Sequence, residues 1–310
     1  MLKRLFAIAS LTVACGTPYW PARMPAEIAQ PDGTKHDQGE FMGVGKTALY
    51  WQSWSPTKAR ERGVVVVTHG LKDHSARYAD FAHALNSAGY AVYAFDLRGH
   101  GDSAGDRVGV LLFDDYVMDL DVFLNRVIAD HRAEPIFLFG HSMGGAIATL
   151  EEIEYHPPIA GLILSGAALE PGVSDAKIGV TRFTAAIDPD FDAFNLDLDQ
   201  FSRDPAVVEA AKHDPLVYQG AATVHMATKL VDAIERIDQN MESVEVPLLI
   251  MHGKADRVTP PSGSQALYAR ARTKDKTLQL YGKMFHDLLH EPEKATVTSD
   301  IVTWLNARAP

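Results

Sequence analysis

Residues 135–145, Pro-Ile-Phe-Leu-Phe-Gly-His-Ser-Met-Gly-Gly, decide the fold of this chain. The apolar run before the first glycine is typical of a buried parallel strand, and residues 144–152 are rich in Ala, Ile and Leu, which favours a buried helix. The backbone must reverse between them with little room beside Ser142, and Gly140 and Gly144 meet that demand. We predict a serine held in the position of a nucleophile. The alternative is a solvated serine in a glycine-rich turn.

The composition allows a large folded domain. With 310 residues, 46% of them hydrophobic, the chain can form one α/β domain with an insertion, or two small domains. The formal net charge of −11 disfavours nucleic acid as a partner, because phosphate binding needs a dense basic face. The sequence contains no internal repeat, and no internal apolar run reaches the length of a membrane span.

The N-terminus has the pattern of an export signal. Lys3 and Arg4 precede an apolar stretch that is too short to cross a bilayer, so residues 1–14 are predicted to be a signal peptide. Residues 11–16, Leu-Thr-Val-Ala-Cys-Gly, resemble a bacterial lipobox, in which Cys15 would be lipidated, although Thr12 stands where a lipobox usually has leucine. We expect an exported protein, anchored to a membrane and facing the periplasm or cell exterior, with residues 15–35 as a tether.

Two other interpretations of the N-terminus stay open. One is an ordinary cleaved signal peptide, and the other is a hydrophobic start to a cytosolic chain. In either case the single cysteine rules out a disulfide within the chain.

Short apolar runs alternate with helical stretches along most of the chain. A hairpin over residues 41–54 is followed by predicted strands at 64–68, 91–95, 136–139, 162–164, 247–251 and 277–280, with helices between them such as 78–88 and 116–130. This alternation predicts a largely parallel sheet whose ligands bind beyond the carboxyl ends of the strands. A serine at a strand-to-helix turn of such a sheet resembles the nucleophile elbow of α/β hydrolases.

Residues 168–240 interrupt the alternation. They show no clear strand, but they include amphipathic pieces such as residues 222–237. We predict a helical cap inserted over the strand ends, between two core segments, 36–167 and 241–310. Phe194, Met226 and Leu230 would line an acyl pocket or form the core of the cap itself.

A serine nucleophile needs a base within hydrogen-bond reach. His286 follows the last predicted strand by a short loop, and it is the predicted base. His252 ends the preceding strand, and His290 lies one turn further along, where it would face away in the last helix.

The base in turn needs a carboxylate that holds its tautomer. Asp256 lies in the loop after the predicted strand 247–251, which places it at the same edge of the sheet. Asp287 is adjacent to His286 and would point elsewhere. The predicted catalytic residues are therefore Ser142, His286 and Asp256.

Acyl transfer also needs amide donors for the oxyanion. The residue after the nucleophile, Met143, supplies one backbone amide. Leu71 supplies the other, because Gly70 lets the chain bend after strand 64–68 so that the next amide can face Ser142.

Two motifs with other chemistry are rejected. Gly45-Lys46-Thr47 resembles the end of a phosphate-binding loop, but Glu40 stands where that motif requires glycine. His286 and His290 have the spacing of a zinc helix, but a third ligand is not evident. We expect neither a metal nor an organic cofactor.

Longer stretches resemble the monoacylglycerol lipase and lysophospholipase family. The resemblance covers roughly residues 36–308, and it is carried by residues 69–78 (His-Gly-Leu-Lys-Asp-His-Ser-Ala-Arg-Tyr), 96–103 (Asp-Leu-Arg-Gly-His-Gly-Asp-Ser), 140–145, 203–205 and 214–216. It implies an α/β-hydrolase fold, an apolar tunnel under the cap, and His74 and Arg77 as braces of the oxyanion loop.

The resemblance also implies the activity, namely hydrolysis of the carboxylic ester of monoacylglycerol-type lipids through an acyl-enzyme. The expected partners are a small lipid ester and a membrane surface. A lysophospholipase, which uses the same triad but admits a charged head group, is the alternative. A peptidase or a non-catalytic binding protein of the same fold is further removed.

Overall fold

The computed structural model of the protein describes residues 28–29, 34–57 and 61–309. The predicted signal peptide, residues 1–14, and the predicted lipidation site Cys15 lie outside the described residues, as does most of the predicted tether. Within the tether, Ile28–Ala29 forms a short strand that pairs with the next strand.

Nine strands form one sheet in the order β1-β2-β3-β5-β4-β6-β7-β10-β11. The first three are antiparallel to their neighbours, and the other six are parallel. The strands of the sheet are β1 Ile28–Ala29, β2 Thr34–Met42, β3 Ala48–Pro56, β4 Gly63–Thr68, β5 Tyr90–Phe95, β6 Ile136–His141, β7 Gly161–Ser165, β10 Leu248–Gly253 and β11 Lys276–Tyr281.

Helices cover both faces of the sheet. The core helices are α1 Ala79–Ser87, α2 Asp114–Asp130, α3 Met143–Tyr155, α7 Pro261–Arg270 and α8 Lys294–Asn306. The central strand β4 needs helices on both faces of the sheet, because its valines point alternately into the two hydrophobic clusters of the core. Val64 and Val66 pack with α2 and α3, whereas Val65 and Val67 pack with α1 and α8.

The predicted fold class is confirmed: the protein has a mostly parallel sheet with flanking helices. The predicted strands of the parallel part lie within two residues of the observed ones. The opening strand is longer than predicted, since β2 begins at Thr34 instead of residue 41. The first seven of its nine residues read Thr-Lys-His-Asp-Gln-Gly-Glu, so this part of the strand contains no apolar run from which it could have been predicted.

Residues 168–240, here called the cap segment, leave the sheet after β7 and return to it at β10. They form three helices, α4 Asp175–Ile187, α5 Pro205–His213 and α6 Val224–Asn240. The expectation that this segment has no strand is wrong, because β8 Asp192–Phe194 and β9 Ala222–Thr223 pair with each other. These strands are two and three residues long, which is too short for an alternating pattern to show in the sequence.

The cap segment contacts loops at the carboxyl ends of the parallel strands. The amide of Asp287, beyond β11, donates to the carbonyl of Phe201 at 2.8 Å, and the amide of Tyr218 donates to the carbonyl of Lys72, beyond β4, at 3.2 Å. The helices within the described ranges include none that is both long enough and apolar enough to cross a membrane.

A buried carboxyl group on α3 has no hydrogen-bond partner among the described residues. Glu151 is fully buried, and both of its carboxyl oxygens lack a donor. Burial, together with the nearby carboxyls of Asp121 and Glu152, raises the pKa of Glu151 to about 8. The side chain is therefore protonated in the folded protein at neutral pH.

We predict that Glu151 makes the protein less stable as the pH rises from about 5 to 8. The unfolded chain loses this proton near pH 4.5 and the folded protein only near pH 8, so the folded state binds the extra proton between these values. Relative to wild type, Glu151→Gln should gain about 3.5 kcal/mol in free energy of unfolding between pH 5 and 8, measured by urea denaturation. The variant Glu40→Gln, at an exposed position of β2, is the control and should show no such gain.

Candidate active site

Ser142 stands at the junction of β6 and α3 in a strained conformation. Its φ of 55° and ψ of −122° are unusual for a residue with a side chain. The neighbouring glycines make the turn possible. A Cβ atom at Gly144 would lie 2.2 Å from the carbonyl oxygen of Thr68, and one at Gly140 would lie 2.5 Å from the carbonyl oxygen of Gly144. The predicted turn from strand to helix is thus present, with Ser142 at its apex.

Three predicted site residues meet through hydrogen bonds. The Ser142 hydroxyl lies 2.9 Å from Nε2 of His286, and Nδ1 of His286 lies 2.8 Å from Oδ2 of Asp256. They follow β6, β11 and β10, whose carboxyl ends lie at one edge of the sheet. Because the Nδ1–H of neutral His286 donates a hydrogen bond to the Asp256 carboxylate, its Nε2 atom carries no hydrogen and can accept the hydroxyl proton.

The carboxylate of Asp256 is held by several donors. Its Oδ1 accepts the amides of Val258 and Thr259 at 2.7 and 3.0 Å, and its Oδ2 accepts the Thr259 hydroxyl at 2.9 Å. Nε2 of His252 lies 3.1 Å from the same Oδ2. Burial alone would raise the pKa of Asp256, but His286 and His252 outweigh it and hold that pKa far below its usual value.

The two alternative candidates for the acid and the base face other groups. The Asp287 carboxylate contacts Arg77 at 3.2 Å and Nδ1 of His290 at 2.8 Å, while Nε2 of His290 donates to the carbonyl of Arg77 at 3.0 Å. The expectation that His290 lies in the last helix is wrong: it ends a 3-10 turn, Leu288–His290, before α8. Residues 286–290 therefore lack the helix that a zinc motif of this spacing requires.

The loop after β4 packs against the elbow. A Cβ atom at Gly70 would lie 3.0 Å from Cβ of Ser142, so the backbone passes directly beside the serine. Residues 70–73 form a turn, closed by the amide of Asp73 and the carbonyl of Gly70 at 3.4 Å. Leu71, predicted to supply an oxyanion donor, is the second residue of this turn. Met143, the other predicted donor, is the first residue of α3, where helix amides have no partner within the helix.

His69 orients the peptide that carries the Leu71 amide. Burial lowers the pKa of His69 to about 4, so the ring is neutral. Its Nε2 accepts the amide of Leu97 at 2.9 Å, and its Nδ1–H therefore donates to the carbonyl of Gly70 at 2.7 Å. The carbonyl of Gly70 and the amide of Leu71 belong to one trans peptide and point in opposite directions. Holding the carbonyl towards His69 directs the Leu71 amide away from it.

Arg77 and His74 brace the same loop, as the family resemblance implies. The Arg77 guanidinium bridges the carboxylates of Asp73 and Asp287, each at 3.3 Å or less, and His74 reaches Asp214 of the cap segment at 2.9 Å. Burial alone would raise the pKa of Asp73, but Arg77 and nearby imidazoles outweigh it and lower that pKa. Both carboxylates are thus charged and fixed.

Three residues of the site were not predicted for the roles they have. The ring of His141 packs against that of His286 at a tilt of 46°, with centroids 4.8 Å apart, and its Nδ1 lies 2.9 Å from the carbonyl of Ser165. Thr259 and His252 both bind the carboxylate of Asp256. The only signal in the sequence was that His141 and His252 lie at the ends of β6 and β10 and that Thr259 follows β10. That signal does not distinguish a support residue from an exposed loop residue.

An apolar groove of about 270 Å³ extends from this site between α4 and α6. It begins at Ala168, whose amide donates to the carbonyl of Ser142 at 3.0 Å, and at Thr259. Phe194 and Leu230 line it, in accordance with one of the two interpretations of these residues. Met226 is only 1% exposed and packs in the core instead.

A serine at a strand-to-helix elbow, next to a histidine and an aspartate beyond later strands of a parallel sheet, defines the α/β hydrolases. A family model described as "Serine aminopeptidase, S33" matches residues 59–293.

Comparison with known proteins gives the same class. A monoacylglycerol lipase of Mycolicibacterium smegmatis is 35% identical over 267 residues, which are 86% of this chain and 95% of that protein. Human monoglyceride lipase is 31% identical over 293 residues, 93% of this chain and 95% of that protein. The crystal structure of Paleococcus ferrophilus monoacylglycerol lipase, 32% identical, superposes with a TM-score of 0.73 and covers 84% of this chain and 99% of that one. The chain belongs to the α/β-hydrolase family that the matching model describes and these lipases represent, and it is a carboxylic ester hydrolase.

We predict that Asp256→Asn lowers kcat for a soluble ester by about 10⁴-fold, because the amide cannot hold His286 in the required tautomer. The measurement is steady-state hydrolysis of a p-nitrophenyl ester, with the thermal unfolding midpoint as the check on folding. Asp287→Asn is the matched variant, and its loss should be much smaller because Asp287 does not contact His286. Activity of Asp256→Asn within tenfold of wild type would contradict the assignment.

Proposed function

We propose that this protein hydrolyses the carboxylic ester of monoacylglycerol-type lipids. One observation carries the proposal: the hydrogen-bonded residues Ser142, His286 and Asp256 lie beside an apolar groove, whose lining residues Ala168 and Thr259 hydrogen-bond to Ser142 and Asp256. The groove suits a single acyl chain, and the polar loop after β4 lies beside Ser142 on the side where an oxyanion and an alcohol would be placed.

The first half of the reaction forms an acyl-enzyme. Oγ of Ser142 attacks the ester carbonyl while Nε2 of His286 takes the proton of the Ser142 hydroxyl. The resulting oxyanion accepts hydrogen bonds from the backbone amides of Leu71 and Met143. Asp256 stabilises the imidazolium, and it stays ionised because its pKa lies far below the working pH. When the tetrahedral intermediate collapses, His286 returns the proton to the glycerol oxygen, and glycerol leaves.

The second half releases the fatty acid. A water molecule takes the place of glycerol, His286 accepts its proton, and the hydroxide attacks the acyl carbonyl of the Ser142 ester. The second tetrahedral intermediate uses the same two amides. Its collapse restores the Ser142 hydroxyl with the proton from His286, so the cycle needs no metal or organic cofactor.

We predict that the purified protein cleaves monoacylglycerols and that Ser142→Ala reduces kcat by several orders of magnitude with an unchanged fold. The measurement is glycerol release from monoacylglycerols of increasing chain length. Labelling with a fluorophosphonate probe should be lost in the same variant. Unchanged ester turnover by Ser142→Ala would refute the proposed nucleophile.

Lysophosphatidylcholine in the same assay separates the two lipid substrates. It carries the same ester and acyl chain but a charged head group. If the protein hydrolyses it faster than monoacylglycerol, the protein is a lysophospholipase and not a monoacylglycerol lipase. An aminoacyl amide tests the peptidase chemistry that the description of the family model raises. Absence of both fluorophosphonate labelling and turnover of any ester or amide would favour the non-catalytic alternative.

We further propose that the protein is exported and anchored to a membrane through Cys15. The proposal rests on the lipobox-like residues 11–16. An exposed apolar surface on the cap segment is consistent with a location at a lipid surface. On α4 and just after it, four side chains are 56–70% exposed, namely Val180, Phe183, Ile187 and Phe191.

We predict that Cys15→Ala moves the protein from the membrane fraction to the soluble fraction of a bacterial host and abolishes incorporation of a labelled fatty acid. Ser10→Ala, in the same segment, is the control and should leave both unchanged. Membrane association of Cys15→Ala at the wild-type level would argue against a lipid anchor.

A further inference from the structure

Lys72, the third residue of the turn 70–73 beside Ser142, combines two unfavourable features. Its φ is +68°, a left-handed conformation that favours glycine. Its side chain is also buried, with 3% of the residue exposed, and none of the described carboxylates forms an ion pair with it. Burial accordingly lowers the pKa of the Lys72 ammonium. Glycine at this position would avoid both the positive φ of a residue with a side chain and the burial of an ammonium group.

The contacts of Lys72 all lead to the cap segment. Its Nζ donates to Oδ1 of Asn195 at 2.5 Å and lies 5.7 Å from the centre of the Tyr218 ring. Its carbonyl accepts the amide of Tyr218 at 3.2 Å. Lys72 therefore binds two separate parts of the cap segment, the residue after β8 and the loop before β9.

Lys72 directly follows Leu71 in the chain, so its backbone is separated from the Leu71 amide only by the Leu71 Cα and carbonyl. The peptide before Leu71 is held by His69 through the Gly70 carbonyl, and the residue after Leu71 is held by the cap segment through Lys72. The orientation of the Leu71 amide thus depends on a support at each side. A rotation at Lys72 would turn this donor relative to Ser142 without changing the triad.

We propose that Lys72 is a positioning residue that links the cap segment to the oxyanion donor Leu71, so that the donor is correctly aimed only while the cap contacts are made. The inference rests on the proposed ester hydrolysis through Ser142. It assigns the cap segment a part in transition-state stabilisation, in addition to lining the acyl groove.

The test uses Lys72→Met, which keeps the length of the side chain but removes its donors and its charge. Loss of one oxyanion donor lowers kcat by about 10²–10³-fold, and a misdirected donor should lower it by about tenfold. KM should stay within about twofold of wild type, because the ester in the ground state does not use the donor. Inhibition by a trifluoromethyl ketone, which forms a tetrahedral adduct with an oxyanion, should weaken by the same factor as kcat.

Two matched variants separate positioning from backbone strain. Lys46 has a φ of +63° and is exposed, so Lys46→Met changes a lysine in the same backbone conformation in the hairpin between β2 and β3, and it should leave kcat unchanged. Lys72→Arg keeps a donor for Asn195 and a cation for the Tyr218 ring, and it should restore most of the lost kcat.

A double-mutant cycle adds a test from the cap side. Asn195→Ala removes the same hydrogen bond at an exposed position, and it should lower kcat in the same direction as Lys72→Met. The double variant should lose no more than Lys72→Met alone. If Lys72→Met does not fold, Asn195→Ala decides: its wild-type kcat would overturn the proposal.

Other outcomes also overturn it. Wild-type kcat in folded Lys72→Met would show that the link has no effect on the donor, and a raised KM with unchanged kcat would make Lys72 a substrate contact instead. Additive effects in the cycle would show that the two residues act separately. Failure of the proposed function is distinguishable, since it would appear in the wild-type protein as absent ester turnover or in Ser142→Ala as retained turnover.

Discussion

The structure depends on the close approach of two backbones, the first turn of α3 and the end of β4. Gly144 lies so near the carbonyls of Thr68 and His69 that no side chain fits between them. This contact holds Ser142 in its strained conformation and brings the oxyanion loop beside it. The same contact places the amide end of α3 at the serine, where the helix dipole stabilises negative charge. The position of the nucleophile, the strained turn that holds it and its electrostatic environment thus follow from one packing constraint.

Around the elbow, buried titratable groups are neutral unless an oppositely charged or hydrogen-bonding partner stabilises their charge. The imidazoles of His69 and His141 are buried without a carboxylate in hydrogen-bond contact, so burial lowers the pKa of each to about 4 and both support the backbone as neutral rings. The carboxylates of Asp256 and Asp287 are equally buried but lie against cations and imidazoles, which keep them ionised. The neutral imidazoles therefore hold the loop backbones through hydrogen bonds, and the charged carboxylates occur only where they contact cations or imidazoles.

Much of this could be predicted because it depends on local pattern. The parallel strands are short apolar runs, and Ser142, His286 and Asp256 follow strand ends in a fixed order. The structure brings those three side chains into hydrogen-bond distance. Three features could not be predicted from local pattern: the polar first seven residues of β2, the pairing of β8 with β9, and the place of His290 before α8. Each is stabilised by contacts with other parts of the chain.

The amino-acid sequence alone predicts the class of chemistry, since covalent order and backbone geometry set the glycines around Ser142 and the residues that follow each strand end. Which of the several histidines and carboxylates come into contact depends on the folding of distant loops against each other. Asp256 and Asp287 are both buried acids. The Asp256 carboxylate contacts His286, whereas the carboxylate of Asp287, the next residue after His286, contacts Arg77. The link from Lys72 to the cap segment likewise joins residues more than 120 positions apart. Such contacts depend on how the loops pack against each other, and that packing is a property of the whole core.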